Sequence, residues 1–208
     1  MLADVSADGY GHGAVEVAKV AMQAGATALG LSRGRDGESL RDSELDRYVH
    51  RGFSDLSRSG EFTVAGPALY GLTDDPSLRP AMRVFAVVVG TKTIDAGEGV
   101  SYGLTYRATA RTNLALVGIG YADGVDRAAG NVADLRLGGV QRRIVGRVAM
   151  NALVLGLNDG TAAVGDEAVV FGDPATGEPH VRAWAASIGR PPAEVTSVFG
   201  RHLPRSYA

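Results

Sequence analysis

The stretch Asp8-Gly9-Tyr10-Gly11-His12-Gly13 sets three glycines among polar side chains, between an apolar run and a helix-forming run. A glycine loop there turns backbone N–H groups outward at a helix N-terminus, which is the chemistry of a phosphate cradle. The same pattern also serves as an ordinary tight turn. Chemistry that needs an amine has two candidates, because Lys19 and Lys92 are the only lysines. Lys19 falls mid-helix with Glu16 and Gln23, a solvated face, and Lys92 reads as a surface charge just past a strand. The absence of cysteine removes disulfides, thiolate metal sites and cysteine nucleophiles, and four scattered histidines show no HxxxH spacing. No metal is expected.

The elements that would position the loop can be read on either side of it. Leu2 to Ser6 is a strand candidate, Ala14 to Ala24 (AVEVAKVAMQA) is rich in helix formers and ends at Gly25, and Ala26 to Leu31 is a second apolar strand. Strand, glycine loop, helix and strand in that order form a βαβ unit with parallel pairing. Gly34 to Gly60 has many charges and weak periodicity, and reads as a poorly packed connection with one helix around Ser43 to Tyr48. Phe62 to Gly71 and the turn at Asp74 to Pro76 mark a domain boundary.

Past Arg79 the pattern changes to β-branched runs separated by Gly and Asp turns: Val84 to Val89, Leu114 to Ile119, Arg143 to Val148, Ala152 to Leu157 and Ala168 to Phe171. That spacing predicts an antiparallel β domain. His180 to Ile188 puts Val181, Trp184, Ala185 and Ile188 on one helical face, and Pro191-Pro192 opens a second short helix through Val195 and Phe199.

The 208 residues carry 21 basic and 23 acidic side chains, so no electrostatic footprint for nucleic acid or an anionic membrane surface exists. No apolar run reaches the length of a membrane span, and MLADVSADGYGHG lacks a basic region followed by an apolar core. The expected location is the cytoplasm.

Three segments carry most of the specific information: DGYGHG at 8–13, GVSYGLTY at 99–106 and GIGYADGVDR at 118–127. Together, in this order, and with ALYGL at 68–72, VGRVAM at 145–150 and LPRSY at 203–207, they resemble the alanine racemase family over residues 1–33 and 62–208. The resemblance implies a pyridoxal-phosphate enzyme interconverting L- and D-alanine. Its fold would be a (β/α)₈ barrel followed by a C-terminal β domain, and its two subunits would pair so that each site combines one barrel with the partner's β domain. The domains implied are 1–72, a truncated barrel segment giving a partial α/β fold (an incomplete TIM-barrel segment), and 73–208, a β-rich C-terminal domain. A complete barrel takes about 250 residues, and only these first 72 precede the β domain.

Carried over by position, the resemblance divides. Ser6 stands where the family has its cofactor lysine, and a hydroxyl forms no imine and serves as no amine base. Val64-Ala65-Gly66-Pro67 holds no arginine where the family places one against the pyridine nitrogen. Tyr10 matches the tyrosine at the cofactor phosphate. In the β domain, Tyr102 matches the second catalytic base that reaches into the partner's site. Tyr121, Arg127 and Arg147 match residues at the substrate entrance. Met150 matches the methionine beside the substrate carboxylate, although its neighbour is Asn151 where the family usually has Asp. Each taken alone also reads as an ordinary packing or turn residue.

Three functions stay open on this reading. One is an autonomous racemase that binds pyridoxal phosphate. Another is a non-catalytic partner subunit, in a homo- or heterodimer, that pairs with an intact alanine racemase and lends it Tyr102. The third is a decayed remnant.

Overall fold

The computed structural model describes residues 1–32, 38–41, 43–52 and 60–207. The chain divides into two compact units, Met1–Ala81 together with Thr196–Ala208, and Met82–Val195.

The first unit is built on a four-stranded parallel sheet of β1 (Leu2–Asp4), β2 (Ala28–Leu31), β3 (Val49–Arg51) and β4 (Val64–Ala65), in the order β3-β2-β1-β4. β1 and β2 are buried along their whole length, as strands of a parallel sheet covered on both faces must be. A one-turn element, α1 (Ser6–Tyr10), and the helix α2 (Ala14–Gln23) connect β1 to β2. Ala14, Ala18 and Ala21 on one face of α2 pack on Ala3, Val5, Leu29, Leu31 and Leu40. Small residues at that spacing let helix and sheet approach closely.

The expected βαβ unit is present, with shorter strands. Ser6 does not continue β1, because the chain turns there. The Gly34 to Gly60 expectation is corrected in part: β3 and the buried Leu40 lie within it, and the helix expected around Ser43 to Tyr48 is a single 3₁₀ turn, Asp46–Tyr48. Charges on its exposed faces hid a strand too short to show periodicity. Residues 33–37, 42 and 53–59 lie outside the described residues.

The second unit holds a six-stranded antiparallel sheet in the order β10-β9-β12-β5-β8-β11. Its strands are β5 (Val84–Ile94), β8 (Thr112–Val117), β9 (Asp134–Leu137), β10 (Val140–Arg143), β11 (Leu153–Asn158) and β12 (Glu167–Phe171). The short pair β6 (Gly99–Val100) and β7 (Tyr106–Arg107) stands apart. An Ile144–Leu155 bridge joins the ends of the sheet, so it curves round on itself and leaves few free edges. The expected strand at Arg143 to Val148 is corrected: the β10 ladder ends at Arg143, Ile144 adds the single bridge to Leu155, and residues 145–150 form a loop, while Asp134 and Arg136 break the apolar run of β9 and hide it from the sequence pattern. Val181, Trp184 and Ala185 are the buried face of α3 (Val181–Ser187), which packs on β12. The last helix is α4 (Pro192–His202).

Compactness groups Thr196–Ala208 with the N-terminal unit.

Candidate functional site

In the first unit the loop after β1 is left-handed. Ala7, Asp8, Gly9 and Tyr10 carry φ of 51°, 57°, 63° and 53°. For residues with a Cβ this costs about 1–2 kcal/mol each, so side-chain contacts must hold the turn. Asp4 supplies one anchor. Its Oδ2 accepts from the Tyr10 hydroxyl at 2.6 Å and its Oδ1 from the Ser6 backbone N–H at 3.0 Å, while its carbonyl accepts from the Tyr70 hydroxyl at 2.7 Å.

Asp8 supplies the other anchor. Its Oδ1 accepts from the Ala14 N–H at 2.8 Å and its Oδ2 from Arg205 at 2.5 Å, and Arg205 also reaches the Gly11 carbonyl at 3.1 Å. The N-terminus of α2, for which the sequence offered both a phosphate cradle and an ordinary tight turn, is capped by the chain's own carboxylate. Gly11 and Gly13 are needed for close approach: a Cβ on the first would strike the Thr196 carbonyl, and on the second the Tyr207 hydroxyl. The glycines thus serve packing by the C-terminal segment.

The Tyr10 and Tyr70 rings lie 4.9 Å apart and the His12 and Tyr70 rings 4.7 Å apart. Burial, followed by the hydrogen bond to Asp4, pushes the Tyr10 phenol well above its ordinary range, and burial does the same to Tyr70. Burial also holds His12 below its ordinary value. His12 Nδ1 faces two carbonyls, Gly9 at 2.9 Å and Tyr10 at 3.1 Å, so that nitrogen carries the proton, and the buried Nε2 has no partner among the described residues. Ser6 Oγ accepts from the Ser32 N–H at 2.8 Å. Lys19 pairs with Glu16 at 2.8 Å on an exposed face of α2, as expected, and in the second unit Lys92 is an exposed charge 4.0 Å from Glu98.

The second unit gathers the other five candidates into one cluster of loops. Tyr102 opens a 3₁₀ turn, Tyr102–Leu104, and is 73% exposed. Ser101 before it has φ 63° and ψ −177°, a region that is nearly glycine-only, and its hydroxyl donates to the Arg147 carbonyl at 2.6 Å. The Arg147 guanidinium lies over Gly103, with its Cζ 3.4 Å from where a Cβ would stand. Tyr121, 41% exposed, and Met150, 54% exposed, are tied through the backbone: Tyr121 N–H donates to the Ala149 carbonyl at 3.0 Å and Ala122 N–H to the Met150 carbonyl at 2.9 Å. Arg127 sits over the Tyr121 ring at 5.7 Å. Exposed tyrosine and methionine beside arginines is the composition of a binding surface.

Asp4 and Asn131 lie outside the motifs read from sequence, and Tyr70, Arg205 and Tyr207 lie within ALYGL and LPRSY without a role of their own assigned there. Asp4 could have been singled out, since a carboxylate inside an apolar strand two residues before Ser6 shares its face.

A parallel α/β unit with a strained glycine loop and a curved antiparallel β unit presenting a Tyr/Arg/Met surface define a two-part α/β plus β protein. The model of the alanine racemase C-terminal domain matches residues 81–207. The alanine racemase of Salinispora arenicola is 46% identical over 147 residues, which covers 68% of this chain and 40% of that protein. The chain thus spans about 40% of the length of the curated relatives it matches. Among solved structures, alanine racemase from a D-cycloserine-producing Streptomyces lavendulae matches at a TM-score of 0.77 and 25% identity over 96% of this chain and 88% of that one. The Bartonella henselae alanine racemase with covalently bound pyridoxal phosphate matches at 0.79 and 16% over 99% and 92%, a likeness of fold alone. This chain belongs to the alanine racemase family.

Proposed function

We propose that the chain acts as a partner subunit of alanine racemase type, lending Tyr102 to the site of an intact racemase through a dimer contact. On this reading residues 1–72 are a barrel-type α/β segment and 73–208 the β domain. The observation that carries the reading is the contrast between the two clusters. Tyr102, Tyr121, Arg127, Arg147 and Met150 converge on one exposed loop surface, whereas the Tyr10 hydroxyl and the Asp8 carboxylate at the glycine loop are engaged by Asp4, Ala14 and Arg205 of their own unit.

Pyridoxal phosphate does not fit the first unit as a covalent cofactor. An imine needs an amine, and Ser6 offers a hydroxyl already accepting from Ser32. Val64 and Ala65 of β4 offer no guanidinium. The Tyr10 hydroxyl is spent on the Asp4 carboxylate, and a phosphate at the start of α2 would meet Asp8. Autonomous racemisation, which takes an electron sink and two bases on opposite faces, is accordingly not assigned to this chain. A decayed remnant is the remaining reading if no partner binds.

The test mixes the chain with an intact racemase whose second-base tyrosine is changed to Phe, and follows D-alanine. Rescue that disappears with Tyr102→Phe supports donation. Absence of a complex by size exclusion at micromolar concentration defeats it. A borohydride-trapped pyridoxal adduct on Lys19 or Lys92 would instead revive the autonomous enzyme.

A further inference from the structure

We infer that Asn131 is a positioning residue for Tyr102, acting through the loop on either side of that tyrosine. The inference rests on the donation reading for its catalytic consequence, and on geometry alone for the positioning itself.

Asn131 follows the turn Arg127–Ala129 and carries φ 65°, a left-handed conformation that asparagine tolerates better than other residues with a Cβ. Its backbone is held in place, with its N–H donating to the Ile144 carbonyl at 3.1 Å and its carbonyl accepting from Arg143 at 3.4 Å. The side-chain amide then bridges two loops. Oδ1 accepts from the Gly146 N–H at 2.7 Å, and Nδ2 donates to Thr105 Oγ1 at 3.2 Å.

Thr105 is the residue after the turn that begins at Tyr102, and Gly146 precedes Arg147. The segment carrying Tyr102 is therefore pinned at both ends to the same stretch of chain: Ser101 Oγ to the Arg147 carbonyl at one end, and Thr105 through Asn131 to Gly146 at the other. Between the pins there is little room to relax. Gly103 lies under the Arg147 guanidinium, Leu104 has φ 47°, and the Leu104 side chain comes within 2.7 Å of where a Cβ on Gly99 would stand.

A tyrosine as exposed as Tyr102 depends on its backbone for direction. If Tyr102 moves a proton in a partner's site, its Cα–Cβ vector must be fixed before the partner arrives, since a misplacement of about 1 Å costs on the order of 100-fold in rate. One amide with a donor and an acceptor on a short, planar stem meets that need. A carboxylate can still accept from Gly146 and from the Thr105 hydroxyl, so Asn131→Asp is the rescuing conservative change.

The experiment labels the full chain with 3-fluorotyrosine and assigns Tyr102 as the fluorine signal lost in Tyr102→Phe. Asn131→Gly keeps the left-handed backbone and removes both side-chain bonds, while Thr105→Val cuts only the bond toward Tyr102. Both are expected to shift or broaden the Tyr102 signal. Amide exchange at Gly146 is expected to quicken about tenfold or more in Asn131→Gly and to stay unchanged in Thr105→Val. In the rescue assay both variants lower kcat about tenfold or more at nearly constant KM, and Asn131→Asp recovers most of it. A Tyr102 signal and a rescued kcat that match the parent chain in both variants overturn the inference while leaving donation standing. If the parent chain gives no rescue, donation fails, and the fluorine signal alone decides: an unchanged signal overturns the positioning role.

Discussion

The Tyr10 hydroxyl donates to Asp4 Oδ2 at 2.6 Å, and this bond joins the end of β1 to the end of the left-handed turn that follows it. Only 6% of Asp4 is exposed, so its carboxylate depends on Tyr10 and the Ser6 N–H for the hydrogen bonds that water would supply. Tyr10→Phe is expected to cost about 1–3 kcal/mol in urea unfolding, the penalty for a buried acceptor that loses a partner. Asp4→Asn keeps an acceptor and removes the charge. It is expected to lower the Tyr10 titration midpoint, read by phenolate absorbance, while burial still holds it above 10.0.

Asp8 and Arg205 separate two contributions to the same loop. Their ion pair is partly exposed, with side chains 38% and 33% accessible, so Arg205→Ala is expected to cost no more than about 1 kcal/mol. Asp8→Ala also uncaps α2 and is expected to cost about 1 kcal/mol more. Asp8→Asn keeps an oxygen for the Ala14 N–H and tolerates the positive φ, so it falls near Arg205→Ala. Equal losses for Asp8→Ala and Arg205→Ala would show that the cap contributes nothing.

His12 makes stability pH-dependent in a stated direction. Burial holds the folded imidazole below 6.5, so the unfolded chain takes up its proton first as pH falls. Stability is full above about pH 6.5, declines below it, and levels off once the lowered folded value is passed. His180, also lowered by burial, adds a slope of the same sign. His12→Gln is expected to flatten the decline without abolishing it, as read from urea midpoints across that range.

Gly120→Ala tests whether the Tyr121 and Met150 loops are packed as one. Its φ of −147° suits any residue, yet an added Cβ would strike the Ala149 and Met150 carbonyls. A steric cost of about 1–3 kcal/mol is expected, together with loss of rescue in the mixed assay. Gly138→Ala provides the contrast: φ is 60° and nothing lies within 4 Å, so only backbone strain of about 1 kcal/mol applies and rescue survives.

Local pattern was enough to read the parallel βαβ start, the change to an antiparallel domain and the buried face of Val181, Trp184 and Ala185, because burial on one face leaves a period in the chain. The family was legible for a similar reason, since GVSYGLTY and GIGYADGVDR hold their spacing within single loops. What local pattern could not carry was the meeting of residues far apart. Arg205 reaches Asp8 across nearly the whole chain, and Asn131 joins Thr105 to Gly146. The glycines of DGYGHG read as an ordinary turn more readily than as a phosphate loop, and local pattern alone left both open. Only tertiary packing gave the loop its contacts, because Asp8 caps α2 and the C-terminal segment takes the space beside Gly11 and Gly13. Hydrogen bonds between loops depend on where the backbone of each is held, and only the folded sheet beneath them determines that.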